Sequence, residues 1–381
     1  MINILKQVLG QILNLALSVF IFRYYSKELW GEFSSYFLFI GITTVVISWG
    51  NKDFLIREFS KNPNKITYNF YLLFNTRLLL LVPSLLITLL VFPYTISCFF
   101  ILWIVSAYIS QSLEVFWVYK RDYYKSILIE IISFVFLIGF LCFFTITRNN
   151  LIAFYSYYQL IKALLYASIY YSELKNYHFN INKKYFYLTI SFFVLSLVGF
   201  LQSRIDFIMI TFFETNKNIA IYQIISTYFI LIHALGTFLI FPYIKNIYRL
   251  EKKAVANFQK LISLISPIVV TLCLVFLFLI IHYVYLIELD IYYYLLGFLI
   301  TFPPYLYTIK ILMLYKVNKQ HIVLHIGIKA IIINSCISFL LLYFGWGLKG
   351  ALIGSAVAQF FTAYQYLIYF SNQNQSFKVE K

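Results

Sequence analysis

The sequence is poor in charge. Only 12% of its 381 residues are charged, and just 14 are acidic. A chain so depleted, and 62% hydrophobic, cannot cover a soluble globule with polar surface. Long hydrophilic stretches are missing too, which excludes a sizeable domain outside a membrane. Cysteine is scarce: Cys98, Cys142, Cys273 and Cys336 fall in apolar segments at unrelated spacings, so neither a disulfide framework nor a zinc site is indicated, and all four read as packing residues. No phosphate-binding P-loop, zinc-protease motif or nucleophile elbow is found. Enzymatic chemistry has no visible seat, and no cofactor or metal is expected. The ten-residue alternation of a membrane β-barrel is absent as well.

What is there is apolar and long. Runs of about 20 hydrophobic residues, the length that crosses a bilayer as an α-helix, recur along the whole chain. Twelve spans are expected, at 4–24, 31–50, 70–92, 96–119, 127–147, 151–171, 186–213, 219–244, 261–285, 291–315, 326–344 and 348–370. The protein is expected to be an all-α integral membrane protein, its first span retained and not cleaved. Displacing the first half by about 190 residues matches spans to spans and loops to loops, as in transporters built from repeats. Asn14 then falls on Arg204, a turn at Trp30–Phe33 on Ala220–Gln223, and the basic loop at Lys61 on that at Lys252. Two six-helix lobes around a central cavity follow: residues 1–171, a linker 172–185, residues 186–370 and a tail 371–381.

The formal charge of +16 does not indicate nucleic acid, because the basic residues are spread over short loops and form no compact module. One alternate set of loops holds most of the lysines and arginines; the other holds only Lys27, Arg148, Lys217 and Lys349. By the positive-inside rule both termini are cytoplasmic.

The segment 187–213 carries Gln202, Arg204 and Asp206 inside an apolar run. A charge at the bilayer centre costs roughly 2.5–3.5 kcal/mol on insertion scales, so it faces a partner or a watery cavity, and this helix is expected to be interior. Arg23, Arg77, Lys162 and Lys310 outnumber the embedded acids Glu114, Glu130 and Asp206 even before Arg204 is added. Lys162, Lys310 and Lys329 are expected to reach a membrane surface. Arg77 and Arg204 either line a polar cavity or hold helices together through internal ion pairs. An excess of embedded cations points to an anionic cargo, and the planar fork of arginine suits phosphate.

Other features have plainer readings. Gly345, Gly347 and Gly350 spell G-x-G-x-x-G without the strand a dinucleotide site needs, and Gly350, Gly354 and Ala358 form a stripe for close helix approach. His321 and His325 read as a surface pair and His233 as an interior, hydrogen-bonded histidine. Pro83, Pro242 and Pro303–Pro304 each bend a span, as a fixed kink or, at the last pair, as a hinge.

In order along the chain stand Gln11 and Asn14, Glu28-Leu-Trp-Gly-Glu-Phe33, Arg57-Glu-Phe-Ser60, Arg204-Ile-Asp206, Ile219-Ala-Ile-Tyr222 and Gly347-Leu-Lys-Gly-Ala351. In this order and spacing the chain resembles the O-antigen type of lipid-linked oligosaccharide flippase, within the multidrug/oligosaccharidyl-lipid/polysaccharide (MOP) exporter superfamily. It departs at Ile221, where a glycine is common before the tyrosine. The resemblance implies a multi-pass protein of the bacterial inner membrane, not an enzyme. It would move an undecaprenyl-pyrophosphate-linked sugar unit, for O-antigen or another lipopolysaccharide or surface polysaccharide, from the cytoplasmic to the periplasmic leaflet. It implies that Arg23, Arg57 and Arg204 meet the pyrophosphate; Arg77 joins them as an embedded cation, and Asp206, Glu114 and Glu130 are candidates for ion coupling. The lipid bilayer and other surface-polysaccharide assembly proteins are the expected partners. A drug or cation antiporter of the same superfamily and a polysaccharide polymerase or ligase are the alternatives. The topology is checked by reporter fusions: a reporter active only in the cytoplasm is expected to be active after residue 379 and silent when inserted at Lys217.

Overall fold

The computed structural model describes residues 2–175, 179–240, 252–317 and 319–379. Among them every regular element is helical: α1 (Ile2–Tyr24), α2 (Lys27–Ser48), α3 (Asn51–Lys61), α4 (Ile66–Val91), α5 (Tyr94–Lys120), α6 (Tyr123–Phe143), α7 (Arg148–Ile169), α8 (Tyr171–Leu174), α9 (Lys184–Phe213), α10 (Asn216–Ile240), α11 (Lys252–Leu279), α12 (Ile291–Thr301), α13 (Pro303–Lys316), α14 (Gln320–Tyr343) and α15 (Gly347–Val379). Ten helical segments of the described residues are long and apolar enough to cross a membrane. The two remaining expected spans correspond to α1, whose apolar part is Leu9–Tyr24, and to α7, which carries Gln159 and Lys162 among its apolar residues. Pro242 lies outside the described residues.

The helices begin and end for local reasons. Thr147 caps α7 by accepting the Asn150 N–H (3.3 Å), and Asn182 does the same for Lys184 ahead of α9 (3.0 Å). Gly50 separates α2 from α3 at φ +67°, where a Cβ would lie 2.6 Å from that of Phe192. The expected tenth span breaks into α12 and α13 at Phe302, because Pro303 and Pro304 donate no backbone hydrogen bond; the two prolines take the first turn of α13. Phe302 keeps a helical backbone (φ −73°, ψ −48°), so the break is a kink. The expected turn at Trp30–Phe33 is instead the second turn of α2, and Ala220–Gln223 that of α10. Trp30 and Gln223 are in contact in the second unit, where the indole N–H donates to Gln223 Oε1 at 2.9 Å.

The chain divides into two compact units, Met1–Asn14 with Glu32–Phe200, and Leu15–Gly31 with Leu201–Lys381. The first has an aromatic core in which Phe54, Phe59, Phe70, Phe116, Trp117, Tyr166 and Tyr170 are all buried. In the second, Tyr307, Leu314, Ile326, Ala363 and Tyr366 pack together, Tyr307 stacked on Tyr366 with centroids 5.2 Å apart. The glycine-rich turn before α15 joins antiparallel α14 and α15 with no nucleotide geometry: the N–H groups of Gly345 and Trp346 cap α14 on Leu342 and Leu341. A Cβ at Gly350 would come within 2.8 Å of Leu341 Cβ, and one at Gly354 would collide with Ser338, so the small-residue stripe is a packing surface.

Three expectations are corrected. Only 6% of the apolar window of α9 is buried, so it is no interior helix; burial is confined to a few positions, among them Thr189, Ile205–Phe207 and Ile210. Cys98, Cys142 and Cys336 are exposed and Cys273 is half-buried, so they are free surface thiols of apolar helices and not core packing. Lys162 does not reach a surface, because a buried carboxylate holds it. Gly354→Leu is predicted to destabilise the purified protein by about 1–3 kcal/mol in thermal unfolding. Gly139→Ala, with nothing within 4 Å of the added Cβ, is predicted to change stability by no more than about 1 kcal/mol.

Candidate functional site

Ionisable groups in an apolar helical body each need an electrostatic explanation, and those of this chain fall into three arrangements. The first is Arg77, on α4, which is 1% exposed. Its NH1 donates to the Ile47 carbonyl (3.2 Å) and NH2 to Ser112 Oγ (2.6 Å), and the guanidinium lies 4.9 Å from the Tyr108 ring centroid. Tyr108 is itself tied to the Phe74 carbonyl. The Arg77 Nε–H has no hydrogen-bond partner, and among the described residues no carboxylate lies within 4 Å of the guanidinium. Arg77 lines a pocket of about 230 Å³ with Ser48, Asn51, Lys52, Gln111 and Glu114. At its mouth Lys52 pairs with Glu114 at 3.1 Å, both partly exposed.

The second arrangement surrounds Glu130 on α6, buried at 4% exposure. One oxygen receives both Lys6 from α1 (2.7 Å) and Lys162 from α7 (2.6 Å), and the other accepts the Tyr158 hydroxyl (3.2 Å). Two ammonium groups on one carboxylate leave this buried triad with an excess positive charge. Its oxygens are taken up by protein donors.

The third is Asp206 on α9, in the second unit. Its carboxylate is clothed by hydroxyls: Tyr222 of α10 donates at 2.5 Å and Ser355 of α15 at 2.7 Å, while the Phe207 N–H reaches the other oxygen at 2.8 Å. Ser355 in turn accepts Asn334 Nδ2 (3.2 Å), and Ser338 donates to Asn334 Oδ1 (2.8 Å). Thus α9, α10, α14 and α15 all meet at one acid. Among the described residues neither Asp206, Arg204 nor Arg77 comes within 4 Å of an opposite charge, and Arg204 acts on Asp206 only over a longer range.

The remaining candidates are solvent- or lipid-facing. Arg23 ends α1 and Arg57 sits on α3, both outside the buried core. Arg57 and Arg77 belong to the first unit, Arg23 and Arg204 to the second. His321 and His325 are exposed one turn apart on α14. No cluster of three His, Cys, Asp or Glu able to hold a metal occurs among the described residues. Sequence reasoning passed over Lys6, Asn51, Tyr158, Asn334 and Ser338. Asn334, alone in an apolar run, could have been found as an amide too polar for lipid; Lys6 gives no such signal so close to the chain start.

No protein-family model and no curated protein matches the sequence. The fold does match solved structures. The lipid II flippase MurJ in an inward closed conformation superposes with a TM-score of 0.65 at 13% identity, over 96% of this chain and 87% of that one. A mutant of the Vibrio cholerae MATE transporter VcmN gives 0.57 at 14% identity, covering 98% and 94%. An inward-facing multidrug resistance MATE transporter of the MOP superfamily gives 0.54 at 13%, covering 99% and 98%. The chain is therefore a multi-pass membrane protein with the fold of MOP-superfamily transporters. Glu130→Ala, which would strand Lys6 and Lys162 without their counter-ion, is predicted to destabilise the first unit by about 3–5 kcal/mol in thermal unfolding. Lys6→Met, which leaves the Lys162 pair intact, is predicted to cost less.

Proposed function

We propose that the protein is a flippase for a polyprenyl-pyrophosphate-linked oligosaccharide, carrying the polar head of a surface-polysaccharide repeat unit from the cytoplasmic to the periplasmic leaflet of the bacterial inner membrane. The observation that carries this reading is the surplus of embedded positive charge: Arg77 and Arg204 without ion-pair partners among the described residues, and Glu130 shared by two lysines. A sugar and pyrophosphate head cannot cross about 30 Å of hydrocarbon unaided. Fixed guanidinium groups offer it charge-assisted hydrogen bonds in place of water. In this reading Arg23, Arg57 and Arg204 meet the pyrophosphate, and the isoprenoid tail stays in lipid. One structural relative is a lipid II flippase, and that likeness supports a lipid-linked cargo. Both termini would be cytoplasmic.

A cytoplasm-negative potential favours outward movement of an anion by about 2.3 kcal/mol per charge per 100 mV. Asp206 is the acid proposed for ion coupling. Its hydrogen-bonding shell is oxygen-rich, suited to a proton or a hard monovalent cation, with the Arg204 guanidinium near enough to act on it electrostatically, whereas Glu130 is engaged by lysines and Glu114 by Lys52. That same carboxylate favours a second reading, a drug or cation antiporter, which the MATE relatives also accommodate.

The flippase reading is tested with purified protein in liposomes and a labelled polyprenyl-pyrophosphate oligosaccharide. The wild type is expected to expose the label to the opposite leaflet without changing its mass. Arg204→Ala is expected to lower the rate at least tenfold at equal protein level, with Arg204→Lys in between. An unchanged rate in Arg204→Ala would remove Arg204 from the cargo path, and a longer or transferred glycan would reveal a polymerase or ligase.

A further inference from the structure

The transport reading uses the charge of Arg77 but gives no role to the pocket that it lines with Asn51 and the start of α3. Two unsatisfied buried side chains and the start of a helix line it. Arg77 supplies a fully buried guanidinium whose Nε–H is unpartnered. Asn51, 2% exposed, lines the same pocket with its side-chain Oδ1 equally without a partner. A carboxamide can turn by half a revolution to present its NH₂ instead. Asn51 also opens α3, an 11-residue helix whose N-cap is Gly50. A glycine cap has no side chain with which to satisfy the first-turn amides, so these N–H groups are left for another acceptor, while the exposed Asp53 of the same turn complements the positive end of the helix dipole. Lys52, in the same turn, lines the pocket too, with its own charge offset by Glu114 at 3.1 Å. The uncompensated charge in the pocket is therefore that of Arg77.

A buried cation with an unused donor, beside an uncapped helix start and an unsatisfied amide, lacks an acceptor of negative charge. The volume of about 230 Å³ sets the size of that acceptor. It holds several waters at about 30 Å³ each, but falls below the roughly 300–1,000 Å³ of sites for drug-sized ligands. We infer that this pocket of the first unit binds one phosphate-class oxyanion, with Arg77, the Asn51 amide and the start of α3 as its donors. The phosphate chemistry is common to free inorganic phosphate and to the terminal phosphate of a lipid. The site is confined to the first unit, and it stands or falls apart from any role of Arg204 in transport.

The test is thermal unfolding of the full chain in detergent, with phosphate, sulfate or chloride titrated at constant ionic strength. Bound ligand stabilises the folded state by mass action, so phosphate is expected to raise the wild-type midpoint saturably by about 3 °C or more, and chloride to have no such effect. Asn51→Asp places a carboxylate in the pocket as a tethered counter-ion. It is expected to raise the midpoint without phosphate and to abolish the phosphate response. Arg77→Gln should abolish the response as well; because it also removes the bonds to Ile47 and Ser112, Asn51→Asp decides the matter if that variant does not fold. Stabilisation by inorganic phosphate identifies a soluble anion as the ligand, whereas stabilisation only by a polyprenyl monophosphate identifies a lipid. No saturable response to either, or an undiminished response in Asn51→Asp, overturns the inference.

Discussion

The cost of keeping an ion out of water governs this molecule. An apolar helical body can retain a charge only where fixed dipoles, a counter-ion or a polar opening replaces hydration. The three arrangements answer that requirement differently. Glu130 is neutralised by two lysines and a tyrosine hydroxyl, Asp206 is solvated by hydroxyls from two other helices, and Arg77 is given two hydrogen bonds and an aromatic face but no anion among the described residues. The first pairs its acid and keeps one positive charge in excess. The other two hold charge with no ion-pair partner among the described residues.

Packing makes these positions rigid. Tyrosine and phenylalanine supply much of the buried volume, and buried hydroxyls are spent on backbone carbonyls, as Tyr305 is on that of Ile232 (2.6 Å) and Tyr71 on that of Leu174 (2.6 Å). Such bonds fix helices against one another where lipid offers no hydrophobic incentive to associate. Close approach of α14 and α15 through Gly350 and Gly354 brings Asn334, Ser338 and Ser355 within reach of each other, and so completes the shell of Asp206. A packing motif thus serves an electrostatic end.

The fold was legible because hydrophobic length is a strong signal: each expected span finds a helix, down to the break that Pro303–Pro304 forces after Phe302. The embedded charges were legible as well, since Arg77, Glu130, Arg204 and Asp206 stand out in apolar runs. Their partners were not. That Lys162 meets Glu130 and not the membrane surface depends on how α6 and α7 are rotated, which sequence periodicity leaves open when a helix is apolar on all sides. The same ambiguity put the cysteines in the core and α9 in the interior. The unsatisfied side chain of Asn51 was invisible because it depends on the partners that it fails to find.

The central proposal is that the embedded charge is in positive excess and meets a pyrophosphate. The most direct measurement is equilibrium binding to the purified wild-type protein, comparing a polyprenyl pyrophosphate with a lipophilic organic cation across a salt series. The account predicts saturable binding of the pyrophosphate that weakens as salt rises, with no saturable binding of the cation. Preference for the cation, with no affinity for the pyrophosphate, would contradict it.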